Sequence, residues 1–201
     1  MNRGNGPLTR REMCGLAVAV LFGFAGPAAA SSAAEDYVSG IADQVMRLAN
    51  NGKKGPALKA QFAALLNRYI NLKGIADFAL GPYAKRLPAG RRAEFYNLVN
   101  NYAAALFNYY VDDFRGNQLD IISTTNQGKF TVIQSAITGG NGREQVKWRL
   151  IPASGGFRVA DVNVKGVWLT ISMKDRFSKV LKQSKGDFDP LFAELREANT
   201  W

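Results

Sequence analysis

The sequence contains no histidine and a single cysteine, Cys14. Without imidazole there can be no Ser-His-Asp or Cys-His nucleophile and no histidine ligand for zinc or haem. Cys14 lies at the start of an apolar run near the amino terminus. If that segment is removed as a leader, the remaining chain has no thiol, which excludes disulfides, thiolate catalysis and thiolate metal sites together. Carboxylates, lysines and tyrosines remain as chemically active groups, but most hydrolase, metalloenzyme and redox chemistry is disfavoured. Long apolar runs are missing too. The stretch Gly15–Ala25 is eleven residues, well short of the roughly 20 that span a bilayer.

What is present begins with that leader. Arg3, Arg10 and Arg11 precede the apolar run, and Pro27, Ala28, Ala29 and Ala30 follow it. A basic segment, a short apolar segment and small residues at the end make a signal peptide over residues 1–30, with cleavage after Ala30. Thr9, Arg10, Arg11, Glu12 and Met13 resemble a twin-arginine export signal with Met13 in place of the usual Phe; ordinary secretion and a retained membrane anchor are the alternatives. The rest, residues 31–201, is of ordinary size for one domain, and 47% of the full sequence is hydrophobic and 21% charged. The leader holds three of the 26 basic and one of the 16 acidic residues, which leaves the chain from Ser31 at a formal +8. Such a surface attracts nucleic acid or anionic lipid headgroups, and export favours lipid; no nucleic-acid partner is expected.

Periodicity sorts the domain into three stretches. Tyr37, Val38, Ile41, Val45, Met46 and Leu48 recur at helical spacing up to the break at Asn50, Asn51 and Gly52. A second helix starts near Pro56 and carries Leu58, Phe62, Leu65, Leu66, Tyr69 and Ile70, and a short third runs from Leu72 to Leu80 before Gly81 and Pro82. From Pro88 to Phe114 the aromatic and aliphatic positions Phe95, Leu98, Val99, Tyr102, Leu106, Tyr109, Tyr110 and Phe114 predict one long helix of about seven turns.

After Gly116 the period falls to 2. Four strands are expected, around Ile121–Thr125, Thr131–Thr138, Val146–Leu150 and Phe157–Val164, with turns at Gln127–Gly128, Gly139–Gly142 and Ser154–Gly156. Turns this short imply an antiparallel meander. Helical spacing returns at Ile171, Phe177, Val180 and Leu181 and again at Leu191, Phe192 and Leu195. The fold class is therefore α+β: amino-terminal helices, a four-stranded antiparallel sheet, then carboxy-terminal helices. The long aromatic helix is the expected cover of the sheet. Where large rings meet a curved sheet, apolar gaps can hold a ligand, although the same residues could simply form a packed core.

Several runs together resemble the MlaC, or toluene-tolerance, family. Phe157-Arg-Val-Ala-Asp-Val-Asn-Val-Lys-Gly-Val-Trp-Leu169 looks like the family's aromatic, D-V and G-V signature, followed by Lys174, Asp175, Arg176 and Phe177 where it has R-x-x-F. Phe62, Leu65, Leu66, Tyr69, Ile75, Ala76, Leu80, Gly81 and Pro82 resemble its F-x-x-L-L and I-A-x-x-x-L-G blocks, and Phe95, Leu98, Val99, Tyr102 and Tyr110 its aromatic helix. The similarity spans Asp36 to Leu195. It departs at Phe157, where the family commonly has Trp, and at Trp168, where it has a small polar residue.

The resemblance implies a cofactor-free, monomeric periplasmic carrier that shields acyl chains between sheet and helices and passes phospholipid between an inner-membrane ABC transporter complex and an outer-membrane lipoprotein–porin complex. A hopanoid-associated branch is the alternative. On this reading the apolar pocket is lined by Phe62, Leu66, Phe95, Val99, Tyr102, Leu106, Val132, Val146, Trp148, Leu150, Val162, Val164, Val167 and Phe177, and Lys85, Arg86, Arg91 and Arg92 meet headgroups or a partner. No catalytic or metal-binding residue is assigned. Lys147 and Arg149 alternate away from the apolar strand face as solvated charges. Asp161 interrupts an apolar strand, where a carboxylate must be paired or hydrogen-bonded. It could serve a small enzyme together with a Tyr or Lys, but a structural bond to a backbone amide or an arginine suits it better. A solid-cored adaptor is the third function class.

Overall fold

The structure, a computed structural model, describes residues 27–139 and 142–200. The basic and apolar parts of the leader, the twin-arginine pair, Cys14 and the middle of the Gly139–Gly142 turn lie outside the described residues. Six helices and five strands follow in order: α1 (Pro27–Asn51), α2 (Pro56–Tyr69), α3 (Leu72–Leu80), α4 (Arg92–Tyr110), β1 (Gln118–Gln127), β2 (Phe130–Gly139), β3 (Gly142–Ala153), β4 (Gly156–Val164), β5 (Val167–Trp168), α5 (Leu169–Gln183) and α6 (Asp189–Glu197). The helix-sheet-helix order expected from periodicity is the order found. α1 begins earlier than its apolar spacing indicated and runs across the expected cleavage position after Ala30.

Local chemistry sets the boundaries. Pro56 occupies the first turn of α2, where its missing N–H costs nothing. Gly81 ends α3 at φ 53, a left-handed conformation that a side chain resists. The long helix is shorter than expected: single-turn 3-10 segments at Ala89–Arg91 and Val111–Phe114 flank α4, which has 19 residues, or about five turns.

The sheet is a continuous antiparallel meander, β1-β2-β3-β4-β5. The fifth strand is the addition to the expected four. Lys165 and Gly166 form a two-residue turn with φ 52 and 85, the doubly left-handed geometry that matches the twist of a tight hairpin. It returns the chain so that Asn163 pairs with Trp168 and Val164 with Val167. Two paired residues are too few for a period-2 signal.

Two bulges set which side chains face the core. On β4, Asp161 pairs with Arg149 and Val159 with Leu150, so Ala160 is the extra residue. That insertion reverses the alternation, letting both Val159 and Val162 face the apolar side while Asp161 turns to the side of Arg149. A second bulge at Ile122 acts likewise on β1.

The core falls into three clusters. The sheet's apolar face, with Ile133, Leu150 and Val159, packs on Ala34, Val38 and Ile41 of α1. The helical cluster joins α3, α4, α5 and α6 through Leu80, Phe95, Val99, Phe177, Leu181, Phe192 and Leu195. A third, smaller cluster ties α1 and α2 to the end of α4 through Leu58, Phe107 and Val111.

α1 is thus the cover of the apolar face, and the expectation that the aromatic helix covers the sheet is corrected. α4 packs chiefly on α2, α3 and α6, while α2, α3 and α5 meet the sheet along β4. The reason lies in the breadth of its buried surface. Phe95, Leu98, Asn100, Tyr102, Ala104 and Phe107 are all buried and lie on every side of α4, which makes it the interior helix of a helical layer.

Candidate functional site

Between the sheet and the helical layer lies an open cleft of about 450 Å³, within the size range of ligand pockets. Its walls come from the α2–α3 junction (Asn67, Ile70, Asn71, Leu72, Lys73), from Tyr96 of α4, and from the β3–β4 hairpin (Ile151, Ala153, Arg158). The junction is held beside the free edge of β4. Ile70 forms a parallel bridge with Val159, and the Asn71 N–H donates to the Val159 carbonyl at 2.8 Å.

Arg158 closes one side of the cleft. Its guanidinium donates to the carbonyls of Asn67 at 2.9 Å and Ile70 at 3.4 Å, satisfying carbonyls at the end of α2. Beside it, burial raises the pKa of Tyr37 above its ordinary value, although Arg158 opposes the shift. The hydroxyl therefore stays protonated and donates to the Tyr69 carbonyl at 3.2 Å. Across the cleft, the Tyr96 hydroxyl donates to Asp77 at 2.8 Å. The result is an apolar floor of Ile70, Leu72, Ile151 and Ala153 under a rim carrying Lys73, Arg158 and two asparagines.

Where this cleft sits matters more than its size. Leu72 and Tyr96 belong to the margin of the helical cluster, and Ile70 to the margin of the sheet cluster. The opening therefore marks the seam between two separately packed cores. Parting those cores from this edge would expose apolar surface on both sides.

The fourteen residues assigned to the pocket from sequence divide differently. Phe95, Val99, Tyr102, Leu106 and Phe177 meet in the helical cluster. Trp148, Leu150 and Val162 meet in the sheet cluster, and the register places Val146 and Val164 on the same face. Val132 pairs with Arg149 and so lies on the opposite face. Phe62 stacks on Phe107 with ring centroids 3.9 Å apart in the third cluster. Leu66 is half-buried on α2, and Val167 is exposed. None of the fourteen lines the cleft. Apart from Tyr96 of α4, its residues come from a helix junction and a hairpin end, where no periodic signal runs.

The basic cluster before α4 is largely engaged within the protein. Arg91 bonds Asp189 at 2.7 Å and lies 4.2 Å from the Phe192 ring centroid, and that carboxylate raises the guanidinium pKa further above its ordinary value. Arg92 donates to the Ala84 carbonyl at 2.8 Å and faces Asp77 at 3.9 Å. Arg86 stacks on Tyr83 at 5.4 Å, and Lys85 is exposed.

Asp161 has the structural partners its position demanded. Its Oδ1 accepts from the N–H groups of Val162 at 2.9 Å and Thr170 at 3.1 Å, and its Oδ2 accepts from the Thr170 hydroxyl at 2.6 Å. Arg149 Nη1 stands 3.7 Å from Oδ2, with its guanidinium 3.7 Å from the Trp168 ring centroid.

A family model for the MlaC protein matches residues 39–197. The chain belongs to the MlaC family. The match begins inside α1 and ends at the last residue of α6, so it contains every wall of the cleft. Among solved structures, the MlaC-family fold seen here resembles that of a phospholipid-binding protein from Ralstonia solanacearum in complex with a phospholipid, with TM-score 0.69 and 15% identity over 85% of this chain and 97% of that one. No curated protein sequence matches the chain. Among the described residues, no helix is long and apolar enough to cross a membrane, and no group of three acidic side chains could hold a metal ion.

Proposed function

We propose that this MlaC-family protein is a lipid carrier, and that its cargo enters through the cleft at the α2–α3 junction. The observation that carries the reading is the position of the cleft on the seam between the sheet and helical clusters. Family membership and the phospholipid bound by the structural relative support it. Acyl chains would lie between the two cores and the headgroup would stay at the rim, within reach of Lys73 and Arg158. Keeping each CH₂ out of water is worth about 0.8 kcal/mol, so a sheltered path is what allows a two-chain lipid to leave a bilayer at a useful rate.

The rest of the reading follows from transport. The leader over residues 1–30 directs export and is removed, and the domain from Ser31 works in the periplasm as a monomer. It moves phospholipid between an inner-membrane transporter complex and an outer-membrane lipoprotein–porin complex. Transfer of an intact lipid breaks no bond, which suits a chain without histidine.

The test is to extract lipid from protein purified from bacterial cells and to weigh the intact complex by native mass spectrometry. Wild type should carry phospholipid. Ala153→Trp, which fills the floor at a half-buried position, should lose most of it while its circular dichroism spectrum is unchanged. Wild type without lipid, or a folded Ala153→Trp that is fully loaded, would overturn the assignment of the cleft. Hopanoid in place of phospholipid would move the chain to the other branch.

A further inference from the structure

The surface carries an apolar patch that neither the cleft nor the core uses. Val167, Leu169 and Ile171 are exposed by 50%, 47% and 42% within five consecutive positions, and Phe78 on α3 by 47%. Lys174 joins the two parts. It lies one turn after Ile171 on α5, and its Nζ stands 5.2 Å from the Phe78 ring centroid. Isolated surface aliphatics are ordinary, but three large ones exposed around one turn and helix start, beside basic residues, make a protruding apolar tip suited to an interaction surface.

Charge identifies the partner. Between Lys165 and Lys185 there are five lysines and one arginine against one acid, Asp175. Arg176 is engaged by Glu194 and Lys165 by Glu144, the latter at 3.2 Å between exposed side chains, where a pair is worth little. Apolar side chains at one end of a basic helix fit the interface of an anionic bilayer, where the lysines meet headgroups and the aliphatics reach the acyl boundary.

The patch is also held rigidly. The Lys165–Gly166 turn fixes its tip, Arg149 stacks under Trp168, and Asp161 binds the first turn of α5. Little freedom is left to lose on docking.

We propose that the β4–β5 turn and the first turn of α5, with Phe78, form a surface by which this protein seats on anionic phospholipid bilayers. This surface is separate from the cleft and does not depend on the cargo assignment.

The experiment is co-sedimentation of the full domain with vesicles of phosphatidylglycerol and phosphatidylcholine, against vesicles of phosphatidylcholine alone. Wild type should bind the anionic vesicles at low salt and be released at 0.5 M, where the screening length is about 4 Å. Lys165→Glu with Lys174→Glu should weaken partitioning by about fivefold per lysine or more, and Leu169→Ser with Ile171→Ser by roughly tenfold. Both should keep the wild-type circular dichroism spectrum, and Ala153→Trp should bind vesicles like wild type. No binding of wild type to anionic vesicles, or folded patch variants that bind as wild type, would overturn the proposal. So would loss of binding in Ala153→Trp, because attachment would then run through the cleft.

Discussion

Phe95→Ala is expected to lower the free energy of unfolding by about 3–5 kcal/mol, and the melting temperature by about 10 °C for a domain of this size, while the lipid carried per molecule stays at the wild-type level. The ring is fully buried in α4. It lies edge-on to Phe177 at 6.0 Å between centroids, stacked on Phe192 at 5.8 Å and tilted against Tyr96 at 5.9 Å. Its neighbours come from three helices, so truncation leaves a hole that no single side chain can close. Had Phe95 faced a ligand void, truncation would have removed fewer protein contacts and enlarged the cargo space. Urea unfolding and lipid extraction on the same preparation separate the two. A cost under about 1 kcal/mol together with a changed lipid load would place Phe95 in the ligand site instead.

This contrast also shows what was legible in the amino-acid pattern. Spacing of 3.6 residues marks which positions of α4 are buried, but it carries no information about what they are buried against. An aromatic stripe facing a sheet and one facing other helices read alike. The sheet was easier, because alternation along Thr131–Thr138 and Val146–Leu150 and glycines at tight turns leave few arrangements other than a meander. Its fifth strand escaped because two residues have no period. The bulge at Ala160 escaped as well, since an extra residue on β4 is visible only in its pairing with β3. That bulge moves Asp161 off the apolar face, so the apparent violation of alternation at Asp161 was in fact its trace.

The candidate site was the least legible part. Asn67, Asn71, Lys73 and Arg158 are polar residues at the end of a helix, in a junction and near a hairpin, where an exposed position and a site position have the same composition. They become a site only because Ile70 and Asn71 sit beside the open edge of β4 and draw the α2–α3 junction against the β3–β4 hairpin. The family signature over Phe157–Leu169 holds one cleft residue, Arg158, and otherwise runs through the segment that sets the bulge, the carboxylate anchor and the β5 turn.

Asp161→Ala should be the most damaging single change outside the apolar core, costing about 3 kcal/mol, with Asp161→Asn costing about 1–2 kcal/mol. The residue before α5, Trp168, makes no side-chain cap bond, so the opening amides of that helix depend on a carboxylate supplied by β4. Asp161 accepts the Thr170 N–H and hydroxyl and the Val162 N–H, and its negative charge sits at the positive end of the helix dipole. Alanine leaves these donors buried without an acceptor and leaves the Arg149 guanidinium without its carboxylate, the costly half of breaking such a pair. Asparagine keeps one acceptor oxygen for the two amides and loses the charge. The Thr170 hydroxyl can rotate to accept from the new amide, which is why the smaller cost is expected. The carboxylate is buried, and three of its roughly four acceptor directions are taken by Val162 and Thr170, with the Arg149 guanidinium beside the remaining one. That suits a structural role, so Asp161→Asn should carry lipid as wild type does. Thermal unfolding of both variants beside lipid extraction makes the check. A stable Asp161→Ala, or a turnover of some apolar substrate abolished in a well-folded Asp161→Asn, would mean that this buried carboxylate does something other than tie α5 to the sheet.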